Sequence, residues 1–580
     1  MARVGKRLVT PSRLALIGAL VVAVALVLLR HAPPALGDCS GEFTGLYAIA
    51  GHGDDGAVAE GEQVRIRGTV TGVFTGEDQL DGFFIQGDGP GDGLPSGLFV
   101  YAPGLTPEQA SAVRPGRELA ITARTGRWQG QPQVQRVQAI ADCGADEGLA
   151  PLPVSFPLEP EEEARWAGLW VRVNQSMTVS GTHELQRYGS LHLSADGRAF
   201  RPTNFIAADE QPAGRLKVIL DDGSHATWPS PTPWLDGETG TRRVGTRVEG
   251  LEGVLATTFG ALRLHPTRGP RFIEDNPRPD APERSGAELV RVAGFNVENY
   301  FLNLGERGAA NSGELERQRE RLLPALIGLD ADIVGLVEME NDRAALADLV
   351  TRLNDRLGEE RYRAAAATPD TGSDAIKVSL IYRADRVEKL GAPRRDLDPQ
   401  HHRPPLKAAF RAREGGRPFG VAVVHHKAKV GCPESGDVDR GQGCWNLRRT
   451  AQSEALVQGL ADWRKQRGDD LPVLIVGDVN AYGGEDPVRA FLKGGKRDLL
   501  VAHQPPEQRY TYVFRGESGY LDHALAPPPL AERVDAAGTW AINADEPRLL
   551  EYDARGIADR FSPGPWRSSD HDPVWVDLQP

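Results

Sequence analysis

The chain has 580 residues, which is too long for one hydrophobic core and predicts two to four domains. Its composition is that of a globular protein, with 40% hydrophobic and 25% charged residues. The formal net charge of −13 argues against a protein that coats a polyanion through bulk positive charge. It does not exclude an enzyme that engages an anionic substrate through a bound cation.

The N-terminal segment has the pattern of an export signal. Basic residues from Arg3 to Arg13 precede an apolar run, Leu14 to Leu29, which is short for a membrane span of about 20 residues. A small-x-small site after Gly37 indicates cleavage there. Residues 1–37 are therefore interpreted as a signal peptide, with a retained membrane anchor at residues 14–29 as the alternative. In both cases most of the chain is secreted, extracellular or periplasmic.

The four cysteines fit an oxidising destination. Cys39 and Cys143 bracket a domain-sized segment, and Cys432 and Cys444 bracket a short polar loop, so these two disulfides are predicted among three possible pairings. The short bridge should stabilise its loop by about 3 kcal/mol. A zinc site is the alternative, but no CxxC spacing or neighbouring histidine pair supports it.

The first half of the chain is predicted to form two β-rich domains, residues 38–145 and 151–275. Val64 to Phe74 alternates apolar and polar residues, and turn-rich segments separate the short apolar runs that follow. This pattern is typical of a small barrel or sandwich. Residues 276–288 are Pro-rich and charged, and they are predicted to be a linker.

Strands and helices alternate over residues 289–580. The segments LVRVAGFNVEN, DADIVGLVEMEN and FGVAVVHHKAK are apolar runs that end in polar residues. The segment DRAALADLVTRLNDRLG has an apolar stripe with helical spacing. We therefore predict an α/β domain of nearly 300 residues.

Polar residues stand where most of these apolar runs stop. Site residues often lie at such strand ends, because the strand holds them rigidly. Each one alone has a structural explanation, such as a turn cap, but together they predict one functional site. The candidates are Asn296, Glu338, His425, Asp478, Asn480, Asp522, Asp570 and His571.

Five segments carry a family resemblance: GFNVENYF, DIVGLVEMEN, LIVGDVNAY, GYLDHAL and SSDHDPV. In this order they resemble the endonuclease/exonuclease/phosphatase superfamily, over residues 290–578. The preceding segments are similar to large secreted bacterial nucleases of the ExeM type. The resemblance implies a C-terminal α/β four-layer sandwich, with two packed β-sheets flanked by helices. It also implies two preceding β-rich domains, of which the first is an OB-like barrel.

The resemblance also implies a metal site. Glu338 would be the principal ligand of Mg²⁺, with Asn296 and Asp570 completing the site. Mg²⁺ prefers oxygen ligands and keeps several waters, so one or two carboxylates suffice. Mn²⁺ and Ca²⁺ are alternative ions.

The remaining candidates match the catalytic residues of the superfamily. Asp478 would orient or deprotonate the attacking water, and Asn480 would hold water or phosphate. His571 would contact the scissile phosphate, with Asp522 fixing its tautomer. His425 would contact phosphate or donate a proton to the leaving group. Whether His571 or Asp478 is the formal base stays open at this point.

One motif departs from the family, because NHFKSK is replaced by VHHKAK. Successive side chains of a strand face opposite ways, so His425, Lys427 and Lys429 should share a face while His426 is structural. The stretch from His401 to Val430 is locally basic and predicts a phosphate track, with a solvated basic face as the alternative. The predicted substrate contacts are Lys427, Lys429 and Arg449.

These features predict a secreted, Mg²⁺-dependent nuclease that acts chiefly on DNA, with RNA as a further substrate, and has little sequence specificity. It would be a monomer without an obligate protein partner, and any membrane contact would be through the N-terminal anchor. A phosphatase or small-molecule or phospholipid phosphodiesterase is the alternative on the same fold. A catalytically dead nucleic-acid-binding protein is the second alternative. The first β domain is predicted to help hold nucleic acid through Arg65, Arg67, Phe83 and Tyr101, with a structural spacer as the alternative.

Overall fold

A computed structural model describes residues 38–52, 58–366, 372–468, 470–557 and 560–580. The predicted signal peptide or anchor lies outside the described residues. Among the described residues, no helix combines the length and the apolar character that a membrane span requires. The chain forms two compact units. The first contains residues 38–152, 159–171 and 253–262, and the second contains residues 153–158, 172–252 and 263–580.

The first unit contains a closed five-stranded barrel. Its strands are β1 (Gln63–Phe74), β2 (Gly82–Gly87), β3 (Ser96–Tyr101), β4 (Arg117–Trp128) and β5 (Gln131–Ala145). They pair in the order β1–β2–β3–β5–β4 around one apolar interior. The helices of this unit are α1 (Leu46–Ala50), α2 (Pro107–Ala112) and α3 (Pro160–Trp166). The predicted Cys39–Cys143 disulfide is confirmed.

Three of the barrel residues predicted to hold nucleic acid are buried or already paired with a carboxylate. Phe83 is fully buried in the barrel interior, so the prediction that it is an exposed stacking surface is wrong. Arg65 and Arg67 each pair with a carboxylate at 2.6 Å. The alternation from Val64 to Phe74 therefore predicts the strand but does not identify a binding surface.

A second β-rich part precedes the α/β domain. The strands of this part of the chain are β6 (Leu152–Val154), β7 (Trp170–Val173), β8 (Met177–Gly181), β9 (Leu191–Ala195), β10 (Arg215–Leu220), β11 (Arg247–Glu249), β12 (Glu252–Thr258), β13 (Ala261–Arg268) and β14 (Arg271–Ile273). Helix α4 (Leu185–Tyr188) joins β8 to β9. Within the second unit, strands pair in the order β14–β11–β8–β9–β10–β13.

Two mixed sheets form the centre of the C-terminal domain. The first has strands β15 (Val290–Tyr300), β16 (Ile333–Glu340), β17 (Tyr362–Ala364), β18 (Ile376–Arg383), β28 (Val534–Thr539) and β29 (Val574–Leu578). The second has β19 (Val387–Lys389), β20 (Arg394–Arg395), β21 (Leu406–Ala412), β22 (Phe419–His425), β23 (Val473–Asp478), β24 (Arg497–Asp498) and β27 (Asp522–Ala526). A separate hairpin consists of β25 (Tyr512–Phe514) and β26 (Glu517–Gly519). The strand orders are β17–β18–β16–β15–β29–β28 and β19–β21–β22–β23–β27–β24.

Helices cover the outer faces of both sheets. They are α5 (Ser312–Leu329), α6 (Arg343–Leu357), α7 (Asn446–Arg467) and α8 (Asp486–Lys493). Two short helices, α9 (Leu499–His503) and α10 (Pro528–Ala531), instead contribute Leu499 and Leu530 to the cluster between the sheets. Residues of α5 and α6 share an apolar cluster with the first sheet, and residues of α7 and α8 share one with the second. A third cluster lies between the sheets. The layered α/β architecture predicted for this domain is confirmed, whereas the OB-like assignment of the barrel stays a prediction.

Strand periodicity explains which side chains fill each layer. In β15, Val290 and Val292 belong to the cluster between the sheets, and Ala293 and Phe295 belong to the outer cluster. Glycine on the inner face allows the two sheets to approach closely. A Cβ at Gly294 would lie 3.1 Å from the Cβ of Val476 in the opposite sheet. Because side chains alternate along a strand, the inner-face residues near the end of each strand also point into the gap between the sheets.

A short segment of the second β-rich part packs into the C-terminal domain. Asn204 is fully buried; its Oδ1 accepts a hydrogen bond from the Tyr520 amide at 2.9 Å, and its Nδ2 donates to the Arg509 carbonyl at 3.0 Å. The Thr203 hydroxyl donates to Oε1 of Glu485 at 2.8 Å. These contacts attach the segment to the loop that follows β23 and to the residues on either side of the β25–β26 hairpin.

Replacing Asn204 by alanine should destabilise the protein by about 1–3 kcal/mol, because two buried backbone groups lose their partners. The measurement is the free energy of unfolding in urea. Asn174 is exposed, and Asn174→Ala should change stability by less than about 0.5 kcal/mol. Equal stabilities of the Asn204→Ala variant and the wild type would show that the segment does not support the domain.

Candidate active site

Three candidate residues lie side by side on neighbouring strands of the second sheet. His425 at the end of β22 pairs with Asp478 at the end of β23, and Asp478 pairs with Asp522 at the start of β27. In β23 the inner residues Leu474 and Val476 precede Asp478 in the same alternation. The row therefore extends the face between the sheets beyond its apolar core.

Asn296 brings the first sheet into the same site. It follows Val292 and Gly294 on the inner face of β15 and is fully buried. Its Nδ2 donates to Oε1 of Glu338 at 3.2 Å and lies 3.4 Å from Oδ2 of Asp478. One carboxamide thus connects the principal metal-ligand candidate with the candidate that would orient water.

The backbone at the site is irregular. Glu338 has φ 66° and Asn480 has φ 52°, a left-handed conformation that non-glycine residues rarely adopt. The pairing of β15 with β16 shifts register beyond Asn296, so the strands stop alternating there. Such conformations persist where the surrounding structure enforces them, and they cluster at functional sites.

His571 and Asp522 form a buried pair. The His571 ring donates from Nδ1 to Oδ2 of Asp522 at 2.7 Å, and the Thr511 hydroxyl donates to the same oxygen at 2.8 Å. Burial alone would lower the pKa of His571, but the carboxylates of Asp522 and Asp570 outweigh it and raise the pKa well above the usual value. The ring of Tyr512 packs against His571 with centroids 4.7 Å apart. His571 is therefore held as an imidazolium.

Asp478 and Glu338 retain uncompensated negative charge. Burial raises the pKa of Asp478 to about 7, opposed by His571 and reinforced by Asp522. Oδ1 of Asp478 accepts a hydrogen bond from the backbone amide of Asn480 at 2.6 Å, and Oδ2 of Asp478 accepts one from Nδ2 of Asn480 at 3.1 Å. Burial and the nearby charge of Asp570 raise the pKa of Glu338. A cluster of this kind favours a bound cation.

His425 has an arginine partner that the sequence did not reveal. Nη1 of the buried Arg403 lies 3.0 Å from each ring nitrogen of His425. Burial, with the Arg403 charge adding to it, lowers the pKa of His425 well below the usual value, so the ring is neutral. Its Nε2 lies 3.5 Å from Oδ2 of Asp478. In the sequence, Arg403 is one of several basic residues between His401 and Val430, and nothing distinguishes it from the others.

Glu298 is a second residue that sequence reasoning missed. It follows Asn296 by two positions, has φ 52°, and its Oε2 is buried without a hydrogen-bond partner among the described residues. Burial and the carboxylates of Glu551 and Asp570 raise its pKa well above the usual value. The available signal was its place among the polar residues at the end of the apolar run of β15.

The predicted substrate contacts are placed differently from one another. Arg449 is fully buried, and its guanidinium donates to backbone carbonyls, including that of Cys444 at 2.7 Å. Nζ of Lys429 lies 2.6 Å from both carboxylate oxygens of Glu485. These partners hold the fold together, so the structure does not support Arg449 and Lys429 as substrate contacts. Lys427, with Nζ 5.4 Å from the Trp445 ring centroid, stays a prediction.

The basic stretch is not a continuous phosphate track. Lys407 is buried against Asp396 at 2.8 Å, and Arg411 pairs with Glu388 at 2.7 Å. His426 is structural, as predicted, because its Nε2 lies 3.1 Å from the Ser453 hydroxyl in the layer of α7. The predicted Cys432–Cys444 disulfide, which precedes that helix, is confirmed.

Comparison with protein families agrees with this geometry. The model of the endonuclease/exonuclease/phosphatase family matches residues 293–571, which include every candidate catalytic and metal-binding residue. These residues form an endonuclease/exonuclease/phosphatase (EEP) domain. EEP enzymes are hydrolases of phosphodiesters or phosphate esters, and they generally use divalent metals.

Solved structures similar to the EEP domain include three with different partners or activities in their descriptions. They are the human Nocturnin catalytic domain with bound sulfate (17% identity, 50% of this chain and 94% of that chain, TM-score 0.34), D. rerio TDP2 with a single-strand DNA product (17%, 50% and 98%, 0.33) and the mannosyl-6-phosphatase Bt3783 of Bacteroides thetaiotaomicron (16%, 50% and 99%, 0.34). No curated protein matches the sequence.

Asp522→Asn should lower the pKa of His571 in the metal-free protein, because the buried imidazolium loses its charged partner. A raised folded pKa stabilises the protein fully below the ordinary value of 6.5, and this contribution is lost as pH rises through the folded pKa. The stability difference between wild type and variant should therefore be largest below pH 6.5 and shrink as pH rises.

NMR titration of the histidine ring signals measures this pKa, and urea unfolding at several pH values measures the stability difference. Asp535 is exposed, and Asp535→Asn should leave both unchanged. An unchanged His571 pKa in Asp522→Asn would contradict the assigned pair.

Proposed function

We propose that the protein is a secreted, divalent-metal-dependent nuclease that hydrolyses phosphodiester bonds, chiefly of extracellular DNA, with little sequence specificity. The observation that carries the proposal is the hydrogen bonding of Asn296 to Glu338 and its approach to Asp478, which joins the metal-ligand candidates to the water-orienting candidate. The two disulfides support an extracellular destination.

The residues present fit a hard divalent cation. Glu338, Asp570 and Glu298 interact as like charges, and Oε2 of Glu298 has no hydrogen-bond partner among the described residues. Such a set of carboxylate oxygens, with the Asn296 carboxamide beside it, matches the ligands that Mg²⁺ prefers, and Mn²⁺ or Ca²⁺ suits the same oxygens. Asn296, Glu338 and Asp570 would hold the ion. When bound, it supplies Lewis-acid polarisation of a phosphoryl oxygen.

Asp478 is suited to accept the proton of the attacking water. Its pKa of about 7 is close to neutral pH, where a general base works best. The two hydrogen bonds from Asn480 fix the orientation of the carboxylate. Of the two candidates for the general base, the pKa of Asp478 favours Asp478, because His571 already carries a proton.

His571 supplies positive charge to the phosphate. Its Nδ1–H is bound to Asp522, so Nε2–H is the donor that remains for a phosphate oxygen. A fixed imidazolium stabilises the charge that develops in the transition state. His425 is neutral and contributes a hydrogen bond, while the adjacent Arg403 adds a second buried cation.

Exposed cations near the site support a polyanionic substrate. Burial and Arg403 lower the pKa of His425 most, and the charge of Arg307 adds to this effect. The charges of Arg448 and Lys427 likewise add to the effects of burial and Arg403 that lower the pKa of His402. Arg307 keeps 43% of its side chain exposed, and its Nη1 lies 3.5 Å from Oδ1 of Asp374, so only part of its charge is available to a substrate. Contacts of this kind hold a phosphate backbone without reading its bases, which suits a nuclease of low specificity.

Glu338→Gln should reduce DNA cleavage roughly 100-fold or more, because the amide keeps the shape of the side chain and removes the ligand charge. The measurement is nicking and linearisation of supercoiled plasmid with Mg²⁺, with and without a chelator. Glu359 is exposed on the same domain, and Glu359→Gln should cleave like the wild type.

The same preparations are assayed on a phosphate monoester. Release of phosphate from the monoester without plasmid cleavage would replace the nuclease proposal by a phosphatase. Chelator-independent DNA binding without turnover on either substrate would indicate a binding protein. Wild-type cleavage by Glu338→Gln would contradict the metal-ligand assignment.

A further inference from the structure

A second group of metal-ligating side chains lies on a different sheet from the candidate active site. His183, Glu184 and His192 each offer one ligand atom, and these atoms all lie within 4.8 Å of one another. None of the three belongs to the residues that match the EEP family model. The group therefore requires an explanation that is independent of phosphodiester hydrolysis.

Local structure brings the three side chains together. In the antiparallel pair of β8 and β9, Gly181 lies opposite His192. The chain then turns, with the Leu185 amide donating to the Thr182 carbonyl at 3.1 Å, and this turn places residues 183 and 184 beside the start of β9. Two successive turn residues and one strand residue thus converge without a long-range contact.

The ring and carboxylate groups of the three side chains are in contact with one another. The rings of His183 and His192 lie with centroids 4.4 Å apart, and Nε2 of His192 is 3.3 Å from Oε2 of Glu184. Partial burial, together with the His192 ring, lowers the pKa of His183 to about 4. The hydrogen bond from His192 lowers the pKa of Glu184, which keeps the carboxylate charged.

We propose that His183, Glu184 and His192 bind one first-row transition metal ion, with Zn²⁺ as the ion whose preferences they match. Two imidazoles and a carboxylate are ligands that Zn²⁺ accepts, whereas Mg²⁺ requires oxygen ligands. Three protein ligands leave a coordination position for water, and His183 is exposed to solvent. The cationic neighbours, Arg515 beside His183 and Arg263 beside Glu184, limit the affinity of the site.

The site adjoins the hairpin that supports His571. A Cβ at Gly181 would lie 2.7 Å from the Cα of Gly516, so the two backbones are in direct contact. Gly516 belongs to the turn of the β25–β26 hairpin, whose Tyr512 packs on His571. An ion that cross-links the β8–β9 connection therefore stabilises the surface on which this hairpin rests.

The test uses the full-length chain with Glu338→Gln, which weakens metal binding in the active site, after treatment with a chelator. The protein is dialysed against Zn²⁺ and then against metal-free buffer, and bound zinc is measured. We expect about one retained zinc, and Co²⁺ should give the visible absorption of a site with nitrogen ligands. Zn²⁺ should also raise the melting temperature, because it binds only the folded chain.

His183→Ala and His192→Ala in the same background should each weaken binding roughly tenfold or more and abolish the rise in melting temperature. His225 is exposed elsewhere in the β-rich part, and His225→Ala should retain the zinc. Circular dichroism checks folding, and if His192→Ala does not fold, the variant at the exposed His183 decides the result. No zinc retention in the starting protein, or equal retention in His183→Ala, would overturn the proposal. Plasmid cleavage does not enter this outcome.

Discussion

The structure depends on holding several carboxylates together in a buried place. At the end of the core between the two sheets, the partly buried Glu338 interacts as a like charge with Asp570 and with the buried Asp478. Burying an ionised carboxylate costs several kcal/mol after relaxation, and repulsion adds to that cost. The Asn296 carboxamide and the His571 imidazolium offset only part of it. A divalent cation would neutralise the remaining negative charge. Both the charge of the cluster and its position at the strand ends therefore support a candidate metal site.

Much of this arrangement could be predicted from the sequence, because a strand imposes a two-residue period on its side chains. Asn296 continues the inner residues of β15, and Asp478 continues Leu474 and Val476 of β23. The apolar runs predicted the strands, and the polar residues that follow them predicted the candidate site. The same period separates His425, which faces the site, from His426, which faces α7. Local patterns suffice here because the site lies on the regular part of the fold.

Residues whose role depends on distant partners could not be predicted in this way. Arg449 and Lys429 resemble phosphate contacts in sequence, but their partners are the carbonyl groups of a nearby loop and the carboxylate of Glu485. Arg403 lies in an irregular segment, and nothing in its neighbourhood along the chain indicates contact with His425. A basic residue contributes to binding only if its charge is not already neutralised, and that depends on tertiary contacts.

The second β-rich part is joined to the EEP domain by buried ion pairs. Glu546 of the EEP domain accepts from the buried Arg243 at 2.5 Å and from Arg278 at 2.9 Å, and Asp545 accepts from Arg198 at 2.7 Å. Buried ion pairs add little net stability, since desolvation cancels most of the attraction, but breaking one leaves an unpaired charge. These pairs therefore act mainly by excluding other arrangements of the two parts. The cluster of mutually repelling carboxylates at the candidate site depends on such contacts, because looser packing would let the carboxylates separate and take up water.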